Sequence, residues 1–335
     1  MKQTYIVTGA NGFLGNTIVR KLAESEDNEI RALVLPGDST KALDGVRCTL
    51  FYGDVTQPDT LQPLFDVEDG TPLYVIHCAA LVSIKSRHNP SIRAVNVTGT
   101  RHVIEQTLRH HARLVYVSSV HAIPEKPGQQ LITETEDFHP DRVVGEYAKS
   151  KAEIAGQVLR LAKDGILDAC IVHPSGIIGP GDFGNSHLTQ MVLDFVHGKL
   201  RACVHGGYDF VDVRDVADGI LSACHSGRRG ACYILANRYI SVRDMLDTIA
   251  DLCGIRRVRT TLPMWLARAV SPLAEAYYAI LRQPPLFTSY SLYTLRTNAN
   301  FSSEKARRAL GYRNRDFSQT LKDTLDWLKA QGRLR

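Results

Sequence analysis

The sequence predicts an α/β fold, a doubly wound parallel sheet followed by a smaller, mostly helical C-terminal domain. Three observations carry that expectation. Short apolar, β-branched runs alternate with helix-length segments through the first 173 residues, the order that gives parallel strands joined by right-handed crossovers. The first strand-like run opens directly onto a glycine-rich turn and then a helix-like run. Beyond His173 the alternation gives way to loops with scattered helix-like segments.

Taken in order, Tyr5-Ile-Val-Thr8 is apolar and β-branched and reads as a buried strand. Gly9-Ala-Asn-Gly12-Phe-Leu-Gly15 follows, then a helix-like run from Asn16 to Glu24. Ile30 to Leu35 reads as the second strand, closed by Pro36-Gly37. Val46 to Tyr52 reads as the third, ending in Gly53-Asp54, and Leu73 to His77 as the fourth. Ser91 to His110 reads as one long helix, 113–118 as the fifth strand, 144–163 as a helix and Asp168 to His173 as the sixth strand. Further on, Ser186 to His197, Val213 to Cys224, Ser241 to Cys253, Ser302 to Leu310 and Ser318 to Gln331 are helix-like.

Composition narrows the class. A chain of 335 residues can bury one large core or two smaller ones, and 44% apolar with 22% charged residues is ordinary for a globular protein. The net charge of +5 is spread over small clusters such as Arg228-Arg229 and Arg256-Arg257 without interleaved aromatics, so solvated surface is expected and nucleic acid is not. The twelve histidines include no His-Glu-x-x-His, and no metal site is expected. Seven cysteines without a Cys-x-x-Cys pair, and a first strand that starts at the N-terminus, point to reduced thiols in a cytoplasmic protein. No uncharged apolar run reaches about 18 residues, so stable membrane insertion is not expected. Pro263 to Leu281 is rich in Leu, Ala, Trp and Tyr but carries Arg268, Pro272 and Glu275, and reads as an amphipathic lid helix.

Three motifs carry chemistry. A glycine-rich turn between strand and helix lets backbone approach a pyrophosphate, and the helix N-terminus adds free N–H groups and a positive dipole end. Here the spacing is Gly-x-x-Gly-x-x-Gly, at Gly9, Gly12 and Gly15. Ser118-Ser119 closes the fifth strand, at the sheet edge where ligands collect in such folds. Tyr147 and Lys151 stand four residues apart, on one face if the segment is helical. Lowering a tyrosine pKa by about 2–3 units requires roughly 3–4 kcal/mol, and one ammonium at about 4 Å in an effective dielectric near 20 supplies about that much. A serine polarising an oxygen beside a tyrosine that moves the proton is a general acid/base arrangement.

With Ser119, Tyr147-x-x-x-Lys151 and the glycine turn in place, the sequence resembles the extended short-chain dehydrogenase/reductase superfamily. It is most similar to the dihydroflavonol reductase-like carbonyl reductase branch. The resemblance also rests on His77-Cys-Ala-Ala80, Asn96-Val-Thr-Gly-Thr100, His173-Pro-Ser-Gly-Ile-Ile-Gly-Pro180 and Phe210-Val-Asp-Val-Arg-Asp-Val-Ala217. It implies a Rossmann domain of residues 1–173 plus about 209–236, and a substrate cap of about 174–208 and 237–335. It also implies a homodimer through the helices at 91–110 and 144–163. Catalysis would fall to Ser119, Tyr147 and Lys151. The cofactor would be held by Gly9, Asn11, Gly12, Phe13, Leu14 and Gly15, by Leu35, Asp54, Val55, Ala79 and Ala80, and by Ser118, Tyr147, Lys151 and Pro174. Asn96 either positions the helix, relays water or is purely structural.

Cofactor identity follows from the end of the second strand, where an acid suits NAD and an arginine suits NADP. Leu35 occupies the arginine's usual place and no acid stands beside it. Ser39, Thr40 and Lys41 suit a phosphate while Asp38 opposes one, so the expectation leans to NADP(H) with NAD(H) open. For the substrate, Tyr208-Asp209-Phe210 lacks the arginine that grips a sugar nucleotide in this superfamily. Ser119-Val120-His121 lacks the acid pair of sugar dehydratases, and His173 stands where an arginine is common. These departures favour a small, neutral, moderately hydrophobic carbonyl or alcohol, met by His121, Ser175 and Tyr208. A packed, hydrogen-bonded His121 is the other reading of that residue. Two alternatives stay open: a nucleotide-sugar epimerase with tightly bound NAD, and a non-catalytic nucleotide-sensing protein.

Overall fold

A computed structural model describes residues 2–68, 70–82, 89–200, 202–265 and 289–334. Its strands in chain order are β1 (Gln3–Thr8), β2 (Asn28–Val34), β3 (Thr49–Tyr52), β4 (Leu73–His77), β5 (Arg113–Val117) and β6 (Ala169–Pro174), then β7 (Gly176–Ile178), β8 (Ala202–Val204), β9 (Gly207–Asp212), β10 (Cys232–Leu235), β11 (Arg238–Ser241) and β12 (Thr260–Leu262). The α-helices are α1 (Phe13–Leu22), α2 (Pro90–Arg93), α3 (Thr100–Arg109), α4 (Glu146–Lys163), α5 (His187–Val196), α6 (Val213–Ser226), α7 (Val242–Cys253), α8 (Ser289–Thr294), α9 (Glu304–Leu310) and α10 (Phe317–Ala330).

Seven strands form one parallel sheet in the order β3-β2-β1-β4-β5-β6-β10. Both of its faces are covered, so its strands are near-continuous apolar runs; all six residues of β6 are buried. Alternation along β5 divides the core. Leu114 and Tyr116 join the cluster that holds Ile154 and Val158 of α4, while Val115 and Val117 join the one that holds Ile18 of α1 and Ile220 of α6. The strand order reverses between β1 and β4, so the crevice of this doubly wound sheet opens beyond Thr8 and His77.

The stretch 91–110 is not one regular helix. A π-helical turn, Ala94–Gly99, separates α2 from α3, and Gly99 presses so closely on Val55 that an added Cβ would lie 2.6 Å from Val55 Cγ2. The expectation of only loops and helices beyond His173 is also incomplete. β7, β9 and β11 form a three-stranded sheet, β8 pairs with β12, and β10 completes the main sheet. At three or four residues, β7, β8, β10, β11 and β12 are too short to show a period, and the apolar run of β9 is interrupted by Gly207, Asp209 and Asp212. The lid expected over Pro263 to Leu281 falls almost wholly outside the described residues. Among those described, no helix is long and apolar enough to cross a membrane. Arg214 forks onto Asp212 (2.9 and 2.7 Å) and reaches Asp323 (2.7 Å), which ties α6 to α10.

Candidate active site

The site is built where β1, β4, β5 and β6 end. After Thr8, Gly9 turns with φ of +64°, a left-handed conformation that favours glycine. Its carbonyl accepts the Gly12 N–H at 3.0 Å. An added Cβ on Gly9 would lie 2.9 Å from the Ala79 backbone, and one on Gly15 would lie 2.1 Å from the Gly9 oxygen. Turn, helix and the segment after β4 therefore pack backbone against backbone. Gly12 caps α1 and supplies no side-chain acceptor to its first N–H groups, so that positive end is presented to an anion. The cradle fits a dinucleotide pyrophosphate: glycines at 9 and 15 let the turn close onto the helix start, and Gly12 sets no side chain over the helix N-terminus.

Around the cradle, the Asn11 amide donates to Ser39 O (3.2 Å) and Asp38 Oδ2 (3.4 Å). Phe13 and Leu14 form the first turn of α1. Leu35, just past β2, is 45% exposed, and its carbonyl accepts the Asp38 N–H at 3.1 Å, so an acid stands in the same turn. Asp54 closes β3 by accepting the Thr56 N–H (2.8 Å), and the Val55 carbonyl accepts from His102 Nδ1 (2.9 Å). Ala79 donates its N–H to Thr8 Oγ1 at 3.2 Å, and Ala80 is half-buried beside it.

Ser118 is buried, and its hydroxyl has no hydrogen-bond partner among the described residues. Ser119 caps a short 3-10 turn (Val120–Ala122), accepting the His121 N–H at 3.2 Å. Its hydroxyl lies close enough to the Tyr147 phenol to favour the phenolate. Burial outweighs that effect and pushes the half-buried phenol up to about 12. Lys151 lies one turn further along α4 and is buried. Its ammonium donates to the Val117 carbonyl (2.7 Å), and Nζ sits 5.0 Å over the Tyr116 ring. Burial lowers its pKa to about 8. Ser119 and Tyr147 are thus brought together, while the lysine is held on β5 instead of on the phenol.

On the open side, His121 stacks on Tyr208 (centroids 5.5 Å apart, 13° between planes) and presents its edge to Tyr147 at 6.3 Å. Burial keeps His121 neutral, with a pKa of about 4. A cleft of about 200 Å³ follows, lined by His121, Ile123, Ile132, Tyr208, Tyr293 and Phe301 among others. At its rim Arg142 is paired with Asp137 at 2.7 Å. Ser175 is turned away: its hydroxyl donates to buried Asp209 at 2.5 Å, and the Asn237 N–H donates to the same oxygen at 2.9 Å. Burial raises Asp209 to about 6 despite those bonds. Pro174 ends β6 opposite Leu235 of β10.

Three further residues shape the site without having been assigned that task from sequence. His173 is neutral in its buried position, stacks on Phe138 and hydrogen-bonds the Ser119 carbonyl through Nδ1 at 3.0 Å. Ser150 accepts from the Asn96 amide (3.1 Å) and donates to the Tyr147 carbonyl (2.7 Å). Asn96 also closes both backbone groups of Leu81, at 2.8 and 3.1 Å. His77 ends β4 fully buried. The available signal was a polar residue at the end of an otherwise apolar buried strand.

Comparison with known proteins matches the sequence model of the NAD dependent epimerase/dehydratase family to residues 5–236. The chain is 32% identical to sterol demethylase protein B of Methylococcus capsulatus, over 98% of this chain and 99% of the other. It is 29% identical to a putative dihydroflavonol 4-reductase of Synechocystis sp., over 99% and 96%. Identity to human 3 beta-hydroxysteroid dehydrogenase type 7 is 32%, over 93% and 91%. Among solved structures, that of gox2253 superposes with a TM-score of 0.84 at 29% identity, covering all of both chains.

Proposed function

The chain belongs to the NAD dependent epimerase/dehydratase family, within the extended short-chain dehydrogenases/reductases, and is an NAD(P)-dependent oxidoreductase; from that premise we propose that it reduces, or reversibly oxidises, a small and moderately hydrophobic carbonyl or alcohol. The observation that carries this reading is the convergence of Ser119, at the end of β5, and the Tyr147 phenol of α4, close enough for the serine to favour the phenolate, one β-strand away from β4 and its contact with the glycine cradle. A nicotinamide dinucleotide, held by the cradle with Leu35, Asp54, Val55, Ala79, Ala80, Ser118 and Pro174, supplies the hydride-exchanging carbon. Ser119 orients the substrate oxygen. Tyr147, protonated at neutral pH in this site, is poised to give its proton to that oxygen during reduction. Lys151, held on the Val117 carbonyl one turn along α4 from the phenol, grips the cofactor's ribose.

The cleft mixes apolar side chains (Ile123, Ile132, Phe301) with polar ones (Glu125, Thr297, Asn298), and its rim arginine is already paired with Asp137, which supports an uncharged substrate over a sugar nucleotide. The sterol- and flavonol-directed names of similar chains support the same class. Ser39, Thr40 and Lys41 beyond Leu35 support NADP(H) over NAD(H), against the opposing Asp38 carboxylate. We also propose the division into a dinucleotide-binding half and a cap at the boundaries given above, a homodimer through the stretches 91–110 and 144–163, and a cytoplasmic location. That last reading is supported by seven cysteines, none in a disulfide. The test is a panel of aldehydes, ketones and sugar nucleotides followed by nicotinamide absorbance with each cofactor. Turnover of apolar carbonyls with NADPH supports the proposal. Turnover confined to sugar nucleotides, with NAD retained through purification, overturns it in favour of an epimerase.

A further inference from the structure

Between the glycine cradle and the catalytic helix runs an unbroken buried chain of hydrogen bonds, and its proton positions can be deduced. Thr100 donates its only hydroxyl proton to the Asn96 carbonyl at 2.7 Å. It must therefore accept from His77, whose Nε2 lies 2.9 Å from Thr100 Oγ1. His77 consequently carries its proton on Nε2, and Nδ1 is an acceptor, 2.7 Å from Thr8 Oγ1. Thr8 then donates to His77 and accepts the Ala79 N–H at 3.2 Å. Every proton in the sequence Ala79, Thr8, His77, Thr100, Asn96 has one direction. At its far end the Asn96 side chain continues to Leu81 and, through Ser150, to the Tyr147 carbonyl.

Thr8 and His77 are the last residues of β1 and β4, and Thr100 is the first of α3. Thr8 and Ala79 flank the contact that only glycine permits at position 9. Asn96 and the residue before Thr100 belong to the π-helical turn, a rare geometry found mostly as single turns, often at functional sites. His77 itself is fully buried, stacked on Tyr116 at 6.1 Å, and the Tyr116 ring carries the Lys151 ammonium on its surface. A neutral, singly oriented imidazole is what satisfies both threonines at once; a charged one would stand against Lys151.

We propose that His77 is a positioning residue that couples the cofactor cradle to the proton-transfer helix. Its Nδ1 face fixes the Thr8–Ala79 clamp behind Gly9, and its Nε2–H face fixes the π-turn that holds Asn96, Leu81 and Tyr147. The two faces can be separated by substitution. His77→Asn keeps an acceptor where Nδ1 stands and loses the reach to Thr100. His77→Gln reaches Thr100 with an amide N–H and gives up the acceptor toward Thr8.

The experiment measures three quantities on each full-length variant: dissociation constants for NADPH and NADH by fluorescence, turnover of the best carbonyl from the panel, and amide exchange at Ala79 and Leu81. His77→Asn is expected to keep cofactor affinity, lose about tenfold in turnover and exchange faster at Leu81. His77→Gln is expected to weaken cofactor binding by about tenfold, keep more of its turnover at saturating cofactor and exchange faster at Ala79. The proposal is overturned if the two variants change all quantities together in step with a fall in Tm, or change none. The exchange readout needs no substrate, so failure of the proposed reaction leaves this test standing.

Discussion

Replacing Gly15 by alanine bears directly on the claim that backbone, not side chain, forms the floor of the cofactor site. The new Cβ would lie 2.1 Å from the Gly9 oxygen and 2.9 Å from the Gly9 carbonyl carbon. Ordinary carbon–oxygen contact is about 3.3 Å, so turn and helix must separate by about 1.2 Å. Both obstructing atoms are main chain, and no rotamer relieves them. Overpacking of this kind costs about 1–3 kcal/mol, against which alanine's better helix propensity returns at most about 1 kcal/mol. Global stability should fall by about 1–2 kcal/mol, while the displaced turn loses the pyrophosphate donors, weakening dinucleotide binding by about 10- to 100-fold. Gly254→Ala, at the end of α7, is the control: φ is +65° and nothing lies within 4 Å of an added Cβ. That variant should lose about 1 kcal/mol to backbone strain with cofactor affinity unchanged. The assay is denaturant unfolding together with fluorescence titration of NADPH and NADH. Wild-type affinity in Gly15→Ala would refute the reasoning.

Two further outcomes rest on buried charge. Asp209 has its folded pKa raised from 3.8 to about 6, so folding takes up a proton: its stabilising effect is complete below pH 4 and is lost as pH rises through 6, by about 2–3 kcal/mol. Asp209→Asn keeps the acceptor for Ser175 and Asn237, so unfolding free energies at pH 4.5 and 7 should show a smaller decline with pH than in the wild type; an unchanged slope would contradict the assignment. Arg214→Met leaves Asp212, which is 1% exposed, without its bidentate partner and should cost about 3 kcal/mol in denaturant unfolding, since a buried carboxylate stripped of its partner is strongly destabilising. A loss below about 1 kcal/mol would mean that Arg315, 3.8 Å away, carries the pairing instead.

Buried parallel strands announce themselves as continuous apolar runs, so the strands at 5–8, 73–77, 113–117 and 169–173 were legible in the sequence. So was the strand–turn–helix entry at Gly9. The later strands were not, because three residues such as Gly176–Ile178 or Thr260–Leu262 cannot display a period. The π-turn was hidden for a different reason: it is set by tertiary bonds from Asn96 to Leu81 and by the press of Gly99 on Val55, neither visible from local propensity. Spacing placed Tyr147 and Lys151 on one helix face, but the direction of a long, flexible amine is decided by its nearest acceptor, here the Val117 carbonyl. Likewise, a histidine at a strand end reads as polar and buried, while its tautomer and partners emerge only when Thr8 and Thr100 are brought to its two sides.

Substitution of Tyr147 by phenylalanine, with turnover and cofactor dissociation constant measured on the same preparation, tests the account most directly. The ring and its packing against His121 remain while the transferable proton is removed. Turnover should fall by about 10²- to 10⁴-fold with cofactor affinity held within about twofold. Near-normal turnover in that variant would contradict the assignment of Tyr147 as the proton donor.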